Sequence, residues 1–188
     1  MKKAALRTLV QEMRRSMTFE DVHAKSLEAQ KRLAASRFFK AAERIALYAS
    51  FSNEVLTDEL LKAALKHGKE VSYPMVVRDN LRRLKFFRVR SVDELSPGSY
   101  DIREPKARAG EEAEISGLAL IVVPGVAFDC DGARLGYGKG YYDMALKGAR
   151  CPVVALAYDF QVLKEKIPVE THDVQMGAVV TEKRIIEF

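Results

Sequence analysis

The run of apolar residues at 118–123 (Leu-Ala-Leu-Ile-Val-Val), which ends at Pro124 and Gly125, most strongly limits the folds open to this chain. Six consecutive apolar residues fit a strand that is covered on both faces, as at the centre of a parallel sheet. The run at 153–158 has the same length and character. Since a membrane-spanning helix needs about 20 apolar residues, neither run predicts one. We therefore expect a buried parallel sheet and no membrane partner.

The N-terminal part of the chain has the pattern of helices rather than strands. Apolar residues recur at three-and-four spacing within 3–17, and Arg14 falls off this apolar stripe. The stripe consists of Leu6, Leu9, Val10 and Met13. Thr18, followed three residues later by Asp21, resembles a capping signal for a second helix that continues towards Phe39. The sequence thus predicts two helices, the first of them basic, before any strand.

Strand and helix patterns alternate in the rest of the chain. Residues 45–48, 57–67 and 69–73 read as a strand, a helix and a strand, a unit that implies parallel pairing and a right-handed crossover. Residues 96–114 are rich in Pro, Gly and charge, which favours a long loop with little regular structure. The remaining predicted elements are a helix at 140–147 and strands at 84–90, 153–158, 178–181 and 184–186.

These patterns predict an α/β fold with three layers, in which helices cover both faces of a mostly parallel sheet. The length of 188 residues exceeds the usual domain of about 100 to 150 residues but stays within what one hydrophobic core can serve. We therefore expect residues 1–188 to form a single domain, with residues 1–40 as an N-terminal helical extension packed on it. We also expect a monomer.

The charge and cysteine content narrow the possible functions only in part. The 31 Lys and Arg residues exceed the 26 Asp and Glu residues and give a net charge of +5, which suits anionic ligands such as nucleotides, polyglutamates or nucleic acid. Cys130 and Cys151 have no Cys or His at metal-ligand spacing and are too few for a disulfide framework. Charged residues interrupt the basic N-terminus, so we predict no signal peptide and a cytoplasmic location.

Three glycines occur at alternate positions within residues 134–143, and this segment runs into a predicted helix. Glycine lets backbone N–H groups approach a phosphate closely and take positive φ, while Arg134 and Lys139 supply positive charge. The spacing is neither that of the Rossmann fingerprint nor that of a Walker A loop. The segment predicts an anion-binding loop, although a turn whose glycines only close the chain explains the bare pattern equally well.

Asp143 falls in the first turn of the predicted helix, where the helix macrodipole alone favours a carboxylate. Alternatively, Asp143 binds Mg²⁺, which is usually held by one or two protein carboxylates together with phosphate oxygens and water. Asp173 is the candidate for the second carboxylate. His172 beside it does not indicate a catalytic dyad, because sequence neighbours on a loop seldom face each other and no serine nucleophile motif is present.

The glycine segment and its surroundings resemble a known family. The run Pro-Gly-Val-Ala-Phe-Asp at 124–129, followed by Gly-Ala-Arg-Leu-Gly-Tyr-Gly-Lys-Gly-Tyr-Tyr-Asp at 132–143, is similar to the signature of the 5-formyltetrahydrofolate cyclo-ligases, also called methenyltetrahydrofolate synthetases. Other motifs agree in order, so the resemblance runs from Lys3 to Glu182. They lie at 3–7, 48–57, 98–105, 160–161, 168–173 and 180–182. The clearest departure is Met144, where many members carry a basic residue.

The resemblance implies an enzyme that converts 5-formyltetrahydrofolate, with or without a polyglutamate tail, to 5,10-methenyltetrahydrofolate. ATP would be the co-substrate and Mg²⁺ the metal, and phosphorylation of the formyl oxygen would let N10 close the ring as ADP and phosphate are released. The implied catalytic residues are Arg134 and Lys139, the metal ligands Asp143 and Asp173, and the substrate contacts Ala49, Glu54 and Tyr141. The implied ATP-binding residues are Lys3, Arg7, Arg134, Leu135, Gly136, Tyr137, Gly138, Lys139, Gly140, Tyr141 and Tyr142.

Several of these residues have ordinary structural interpretations. Lys3 and Arg7 fit a solvated basic helix face, and Glu54 fits an exposed loop residue before a helix. Tyr141 and Tyr142 fit a packing contact between helix and sheet.

Two other functional classes also stay open. One is a nucleotide-sensing or RNA-binding protein on the same fold. The basic residues are scattered among acids, however, and no tract interleaves them with stacking aromatics, so we expect no nucleic-acid partner. The other is a related ATP-dependent enzyme that acts on a different formylated or carbonyl substrate.

Overall fold

Helices and strands alternate along the chain around a large central sheet. A computed structural model describes residues 3–79, 81–170 and 173–188. Its helices are α1 (Lys3–Arg15), α2 (Phe19–Ala35), α3 (Arg37–Ala41), α4 (Asp58–Lys66) and α5 (Tyr141–Leu146). The strands are β1 (Arg44–Ala46), β2 (Glu70–Val76), β3 (Leu84–Arg88), β4 (Leu95–Pro97), β5 (Arg103–Pro105), β6 (Glu112–Ala113), β7 (Leu120–Val123), β8 (Ala127–Asp129), β9 (Arg134–Leu135), β10 (Val153–Leu156), β11 (Val162–Leu163), β12 (Ala178–Val180) and β13 (Ile185–Glu187).

The main sheet has eight strands within the described residues, in the order β13-β12-β10-β7-β1-β2-β3-β6. The five strands from β12 to β2 pair in parallel, whereas β13, β3 and β6 each pair antiparallel with their inner neighbour. Ile45 of β1 lies opposite Val71 of β2 on one side and Leu120 of β7 on the other. The apolar run at 118–123 therefore supplies a central strand, and the prediction of a mostly parallel sheet is confirmed.

The core lies on both faces of this sheet because alternate residues of a strand point to opposite sides. Leu120 belongs to a cluster that contains Leu33 of α2 and Leu61 of α4. Its neighbour Ile121 belongs to a second cluster, with Leu146 of α5. Both strand residues have no exposed surface, and burial of each such side chain stabilises the fold by about 1.5–3 kcal/mol. The predicted three-layer arrangement is confirmed.

Two hydroxyl side chains set the boundaries of the N-terminal helices. Thr18 Oγ accepts a 3.1 Å hydrogen bond from the backbone N–H of Asp21 and begins α2, as the capping signal predicts. Ser36 then ends α2, with its own N–H bonded to Leu33, and its Oγ accepts from the N–H of Phe39 to begin α3. The prediction of one helix continuing to Phe39 is therefore wrong. Among the described residues no helix is long and apolar enough to cross a membrane.

Helix α1 packs on a second, three-stranded sheet of order β11-β8-β9. Its buried residues are Leu6, Val10 and Arg14, whereas Leu9 and Met13 are 48% and 43% exposed. The predicted stripe was wrong for Leu9 and Met13, and the prediction that Arg14 lies off the buried face was wrong as well. The reason is the nature of the partners: Leu6 and Val10 pack on apolar residues of this sheet, whereas Arg14 contacts the buried carboxylate of Glu54 in the segment after β1.

Residues 96–114 contain more regular structure than the sequence predicts. β4 and β5 pair antiparallel, with a 2.9 Å bond from the N–H of Gly98 to the carbonyl of Ile102, and β6 extends the main sheet. Backbone pairing of such short strands needs no side-chain pattern, so composition gave no sign of it. Other strand ends differ from the predictions by a few residues. β2, for example, continues to Val76, and β1 already ends at Ala46.

The strand order reverses between β1 and β7. From β1 the chain continues to β2 on one side, whereas β7, β10 and β12 follow each other on the opposite side. Such a reversal leaves a crevice beyond the carboxyl ends of the two strands, where open α/β sheets commonly bind ligands. Tyr48 and Ala49 follow β1 at this point, and Pro124 follows β7.

Candidate functional site

A cavity of about 550 Å³ opens at the crevice between β1 and β7. Its lining includes residues that are distant in sequence, such as Lys3 and Glu170, which are 167 positions apart. All the site residues predicted from the sequence line this cavity. They are Lys3, Arg7, Ala49, Glu54, Arg134, Leu135, Gly136, Tyr137, Gly138, Lys139, Gly140, Tyr141, Tyr142, Asp143 and Asp173. Their proximity is an observation, whereas their individual roles stay predictions.

The glycine-rich segment, residues 134–143, forms the wall of the cavity next to α1 and is called the glycine-rich wall below. β8 and β9 form an antiparallel hairpin that leads the chain to this wall. Gly138 and Gly140 have φ values of +90° and +74°, which L side chains rarely adopt, so both positions favour glycine. Arg7 Nε donates a 2.8 Å hydrogen bond to the carbonyl of Gly136 and holds the segment against α1. Because α5 has only six residues, its dipole is small, and the full positive charges at this wall are those of Arg7, Arg134 and Lys139.

Arg134 is the buried cation of this wall. Its side chain is 5% exposed, and its terminal NH2 group donates to Asp143 Oδ1 at 2.6 Å. The guanidinium carbon also lies 5.5 Å from the centre of the Tyr142 ring. Its Nε is buried without a hydrogen-bond partner among the described residues. A buried donor without a partner is costly, so an acceptor supplied by a ligand would improve the stability of this arrangement.

Two carboxylates of the cavity already bind cations of the chain. Asp143 pairs with Arg134, and Asp173 Oδ2 lies 3.7 Å from Lys3 Nζ; each carboxylate side chain is 22% exposed. Residues 3–79, 81–170 and 173–188 contain no group of three or more His, Cys, Asp or Glu side chains that could hold a metal. Two aspartates nevertheless suit Mg²⁺ if phosphate oxygens and water complete its shell. His172 lies outside the described residues.

Glu54 is a buried carboxylate of the cavity and adjoins the glycine-rich segment. Its side chain is 3% exposed, and its Oε1 accepts a 2.9 Å hydrogen bond from the hydroxyl of Tyr137. Burial raises its pKa to about 7, although Arg14, Tyr137 and the N–H of Phe51 each oppose that rise. The interpretation of Glu54 as an exposed loop residue is therefore wrong. A carboxyl group with this pKa changes its charge near neutral pH.

Arg14 lies behind this wall and is the residue that sequence reasoning missed. Its NH1 group is 3.9 Å from Glu54 Oε1, its NH2 group donates to the Tyr137 hydroxyl, and its Nε donates to the carbonyl of Ser52 at 2.8 Å. Ser52 and Asn53 both have left-handed backbones, with φ of 48° and 56°. Such a conformation costs roughly 1–2 kcal/mol per residue, and hydrogen bonds to Arg14 offset that cost. A charged residue one helical turn after two buried apolar residues, at positions 6, 10 and 14, is the signal that could have found it.

Tyr100 lies at the cavity mouth, in the turn between β4 and β5. Its hydroxyl is 3.1 Å from that of Tyr141, and Lys139 Nζ is 6.0 Å from the centre of its ring. Tyr100 and Asp101 have φ values of 59° and 58°, so the turn holds a left-handed conformation where it contacts α5. Met144 is 48% exposed and is not among the described residues that line the cavity, so its departure from the family pattern leaves the lining unchanged.

The fold and site together define a class: an α/β protein with a cationic, glycine-lined cavity at the switch point of a mostly parallel sheet. The model of the 5-formyltetrahydrofolate cyclo-ligase family matches residues 1–182. The chain belongs to this family and is an enzyme of the cyclo-ligase class.

Individual relatives agree with this assignment. The 5-formyltetrahydrofolate cyclo-ligase of Escherichia coli (strain K12) is 31% identical over 183 residues, which cover 96% of this chain and 100% of the relative. The cyclo-ligase of Mus musculus is also 31% identical, over 96% of this chain and 93% of its own. The solved structure of Aquifex aeolicus 5,10-methenyltetrahydrofolate synthetase superimposes with a TM-score of 0.85 and 35% identity, covering 100% of this chain and 93% of that one.

Proposed function

We propose that this protein converts 5-formyltetrahydrofolate to 5,10-methenyltetrahydrofolate in a reaction that uses ATP and Mg²⁺ and releases ADP and phosphate. Family membership supports the overall conversion. One observation of the structure supports the rest most directly. A single cavity joins a cationic, glycine-lined wall that suits a triphosphate to a buried carboxylate that suits a pteridine.

The ATP phosphates are assigned to the glycine-rich wall. Main-chain N–H groups at Gly136, Gly138 and Gly140 can approach phosphate oxygens because these three residues carry no side chain. Arg7, Arg134 and Lys139 add positive charge, and Arg134 Nε offers a buried donor. Lys3 contributes from the first turn of α1. A second carboxylate partner for it, Glu170, lies 3.1 Å away.

Mg²⁺ is assigned to Asp143 and Asp173. When bound, the ion neutralises phosphate charge and orients the phosphoryl group for transfer. In the structure Asp143 pairs with Arg134 and Asp173 lies near Lys3, so each carboxylate that would hold the ion has a cation of the chain beside it. The guanidinium of Arg134 and the ammonium of Lys3 line the same cavity and would stabilise phosphate charge there.

The folate is assigned to the wall formed after β1. Glu54 can accept two hydrogen bonds from the amino-pyrimidinone edge of a pteridine when it is ionised. Ala49 lines the same cavity with a small side chain, and Tyr141 contributes an aromatic ring to the lining. The open mouth near Tyr100 is compatible with a polyglutamate tail, which we include in the proposed substrate class.

The proposed chemistry needs positioning and charge neutralisation more than a protein nucleophile. The formyl oxygen attacks the γ-phosphorus, the bond to ADP breaks, and N5 donates electrons to give an iminium phosphate. N10 then attacks the formyl carbon and loses its proton, and phosphate leaves with the electron pair of the C–O bond. Arg134 and Lys139 stabilise the charge that moves onto the phosphate oxygens.

The test is to incubate the pure protein with 5-formyltetrahydrofolate, ATP and Mg²⁺ and to follow the near-ultraviolet absorbance of the methenyl product. We expect product in stoichiometric proportion to ADP, and none without ATP or with the Mg²⁺ chelated. Absence of product from folded protein under the complete conditions would contradict the proposal.

A further inference from the structure

We propose that Arg14 is a positioning residue that couples the two halves of the cavity, with the Tyr137 hydroxyl as the link between the glycine-rich wall and Glu54. The inference rests on the proposed function, because it assigns ATP to one half and folate to the other. It adds that binding of either ligand strengthens binding of the other through these three side chains.

The hydroxyl of Tyr137 links the guanidinium of Arg14 to the carboxyl group of Glu54 through two consecutive hydrogen bonds. It accepts a hydrogen bond from Arg14 NH2 and donates its own proton to Glu54 Oε1 at 2.9 Å. Arg14 and Glu54 are 2% and 3% exposed, so water does not replace these contacts. A chain of donors of this kind is polarised along its length, which strengthens each bond in it. Tyr137 itself belongs to the glycine-rich wall, so a shift of that wall moves the donor that Glu54 depends on.

Arg14 also fixes the backbone that carries Glu54. Its Nε donates to the carbonyl of Ser52 at 2.8 Å, and its own carbonyl accepts from Asn53 Nδ2 at 3.0 Å. These two contacts hold the left-handed residues that immediately precede Glu54. The side chain and main chain of Arg14 thus set where the carboxylate stands, although neither lines the cavity.

The same helix holds the glycine-rich wall at a second point. Arg7 Nε donates to the carbonyl of Gly136, which is the residue before Tyr137. Arg7 and Arg14 are seven residues apart on α1, which corresponds to about two helical turns and a rise of about 10.5 Å. Because α1 is one rigid element, a ligand that orders the glycine-rich wall also orders Tyr137 against Arg14 and Glu54. Thermodynamic linkage requires the effect to be reciprocal.

The test is calorimetric titration with adenylyl imidodiphosphate, a non-hydrolysable ATP analogue, in the presence of Mg²⁺. Its Kd is measured with and without saturating 5-formyltetrahydrofolate, and the ratio of the two values is the coupling factor. In the wild type we expect a factor within the usual range of about 5- to 150-fold. Arg14→Met and Tyr137→Phe should lower it towards 1, whereas Arg14→Lys should recover part of it, since an ammonium group replaces only some of the guanidinium donors.

Two matched variants serve as controls. Arg15→Met makes the same change at the exposed neighbouring position of α1, and Tyr73→Phe removes the hydroxyl of a buried tyrosine that does not itself line the cavity. Both should keep the wild-type factor. If Arg14→Met fails to fold, the coupling factor of Tyr137→Phe alone tests the inference, because this substitution removes only the linking hydroxyl.

The outcomes separate the inference from the proposed function. A wild-type protein that binds both ligands without coupling overturns the inference, as do Arg14→Met and Tyr137→Phe variants that keep the wild-type factor. In either case the assignment of ATP and folate to the cavity stands. A folded wild-type protein that binds neither ligand overturns the proposed function first, and the inference with it.

Discussion

Replacement of Glu54 by Gln should change how the stability of the protein depends on pH. In the folded state the pKa of this carboxyl is raised from its ordinary value of 4.5 to about 7, chiefly by burial. The unfolded chain therefore releases this proton at lower pH than the folded protein does. The contribution of the neutral Glu54 carboxyl to the free energy of unfolding is fully present below about pH 4.5, and it is lost as the pH rises through about 7.

The magnitude follows from the size of the rise. At about 1.4 kcal/mol for each unit of pKa, ionisation of Glu54 costs the fold about 3 kcal/mol. Exposure of 3% means that solvent screening does not reduce this figure much. The glutamine side chain cannot ionise, so the variant avoids the cost. The groups that face Glu54 from the surrounding elements are Arg14, Tyr48, Tyr137, Tyr142 and Tyr158. Burial raises the pKa of each of these tyrosines, so they stay neutral across the range.

The assay is urea unfolding of the wild type and Glu54→Gln, followed by circular dichroism between about pH 4.5 and about pH 8. Other groups titrate alike in both proteins and cancel in the difference. We expect the variant to gain about 3 kcal/mol relative to the wild type over this range, while kcat/KM for the folate falls roughly 10- to 150-fold through loss of a charged hydrogen bond. The same substitution at the exposed Glu12 is the matched control. A difference in unfolding free energy that does not vary with pH would refute the reasoning.

Three further predictions concern the glycine-rich wall. Lys139→Ala should lower kcat about 100-fold or more in steady-state assays without shifting the urea midpoint, because Lys139 is exposed and the proposal assigns its charge to the phosphates. Full activity of this variant would contradict the assigned role. Asp143→Ala should impair turnover and raise the Mg²⁺ concentration needed for half-maximal activity, while circular dichroism reports a folded protein. An unchanged Mg²⁺ requirement would rule out the assignment of Asp143 as a Mg²⁺ ligand. Gly138→Ala should lower the free energy of unfolding by about 1–2 kcal/mol, because the φ of Gly138 is +90°, and should raise KM for ATP. A variant with wild-type stability and wild-type KM would show that alanine causes no backbone strain at this position.

The features that the sequence predicts well are those that local chemistry determines. Residues 118–123 have no polar side chain, so any fold that buries them on both faces places them near the centre of a sheet, where β7 lies. The glycine spacing and the resemblance together indicated the cavity residues, and the structure brings all of them to one crevice. The ATP, metal and folate contacts assigned to those residues stay predictions.

The features that the sequence does not predict depend on partners distant in the chain. Helical periodicity places Arg14 on the polar side, because it records the chemistry of a side chain but not the buried carboxylate 40 residues later that makes its burial possible. Pairing of β4 with β5 rests on backbone hydrogen bonds, which leave no trace in composition. The break at Ser36 rests on one hydroxyl that competes with the helix for backbone groups.

The position of α1 against the glycine-rich wall has a consequence for biosynthesis. Arg7 and Arg14 are synthesised 129 and 123 residues before the partners to which they bond, Gly136 and Tyr137. At about 5–20 residues per second, roughly 6 to 25 s pass before the ribosome supplies those partners. During this interval the apolar face of the helix lacks its partners from β8 and β9, while the strands from β1 to β7 are already available to pair. The cavity wall is therefore completed late, and a nascent chain that stops before Gly136 contains most of the sheet but no site.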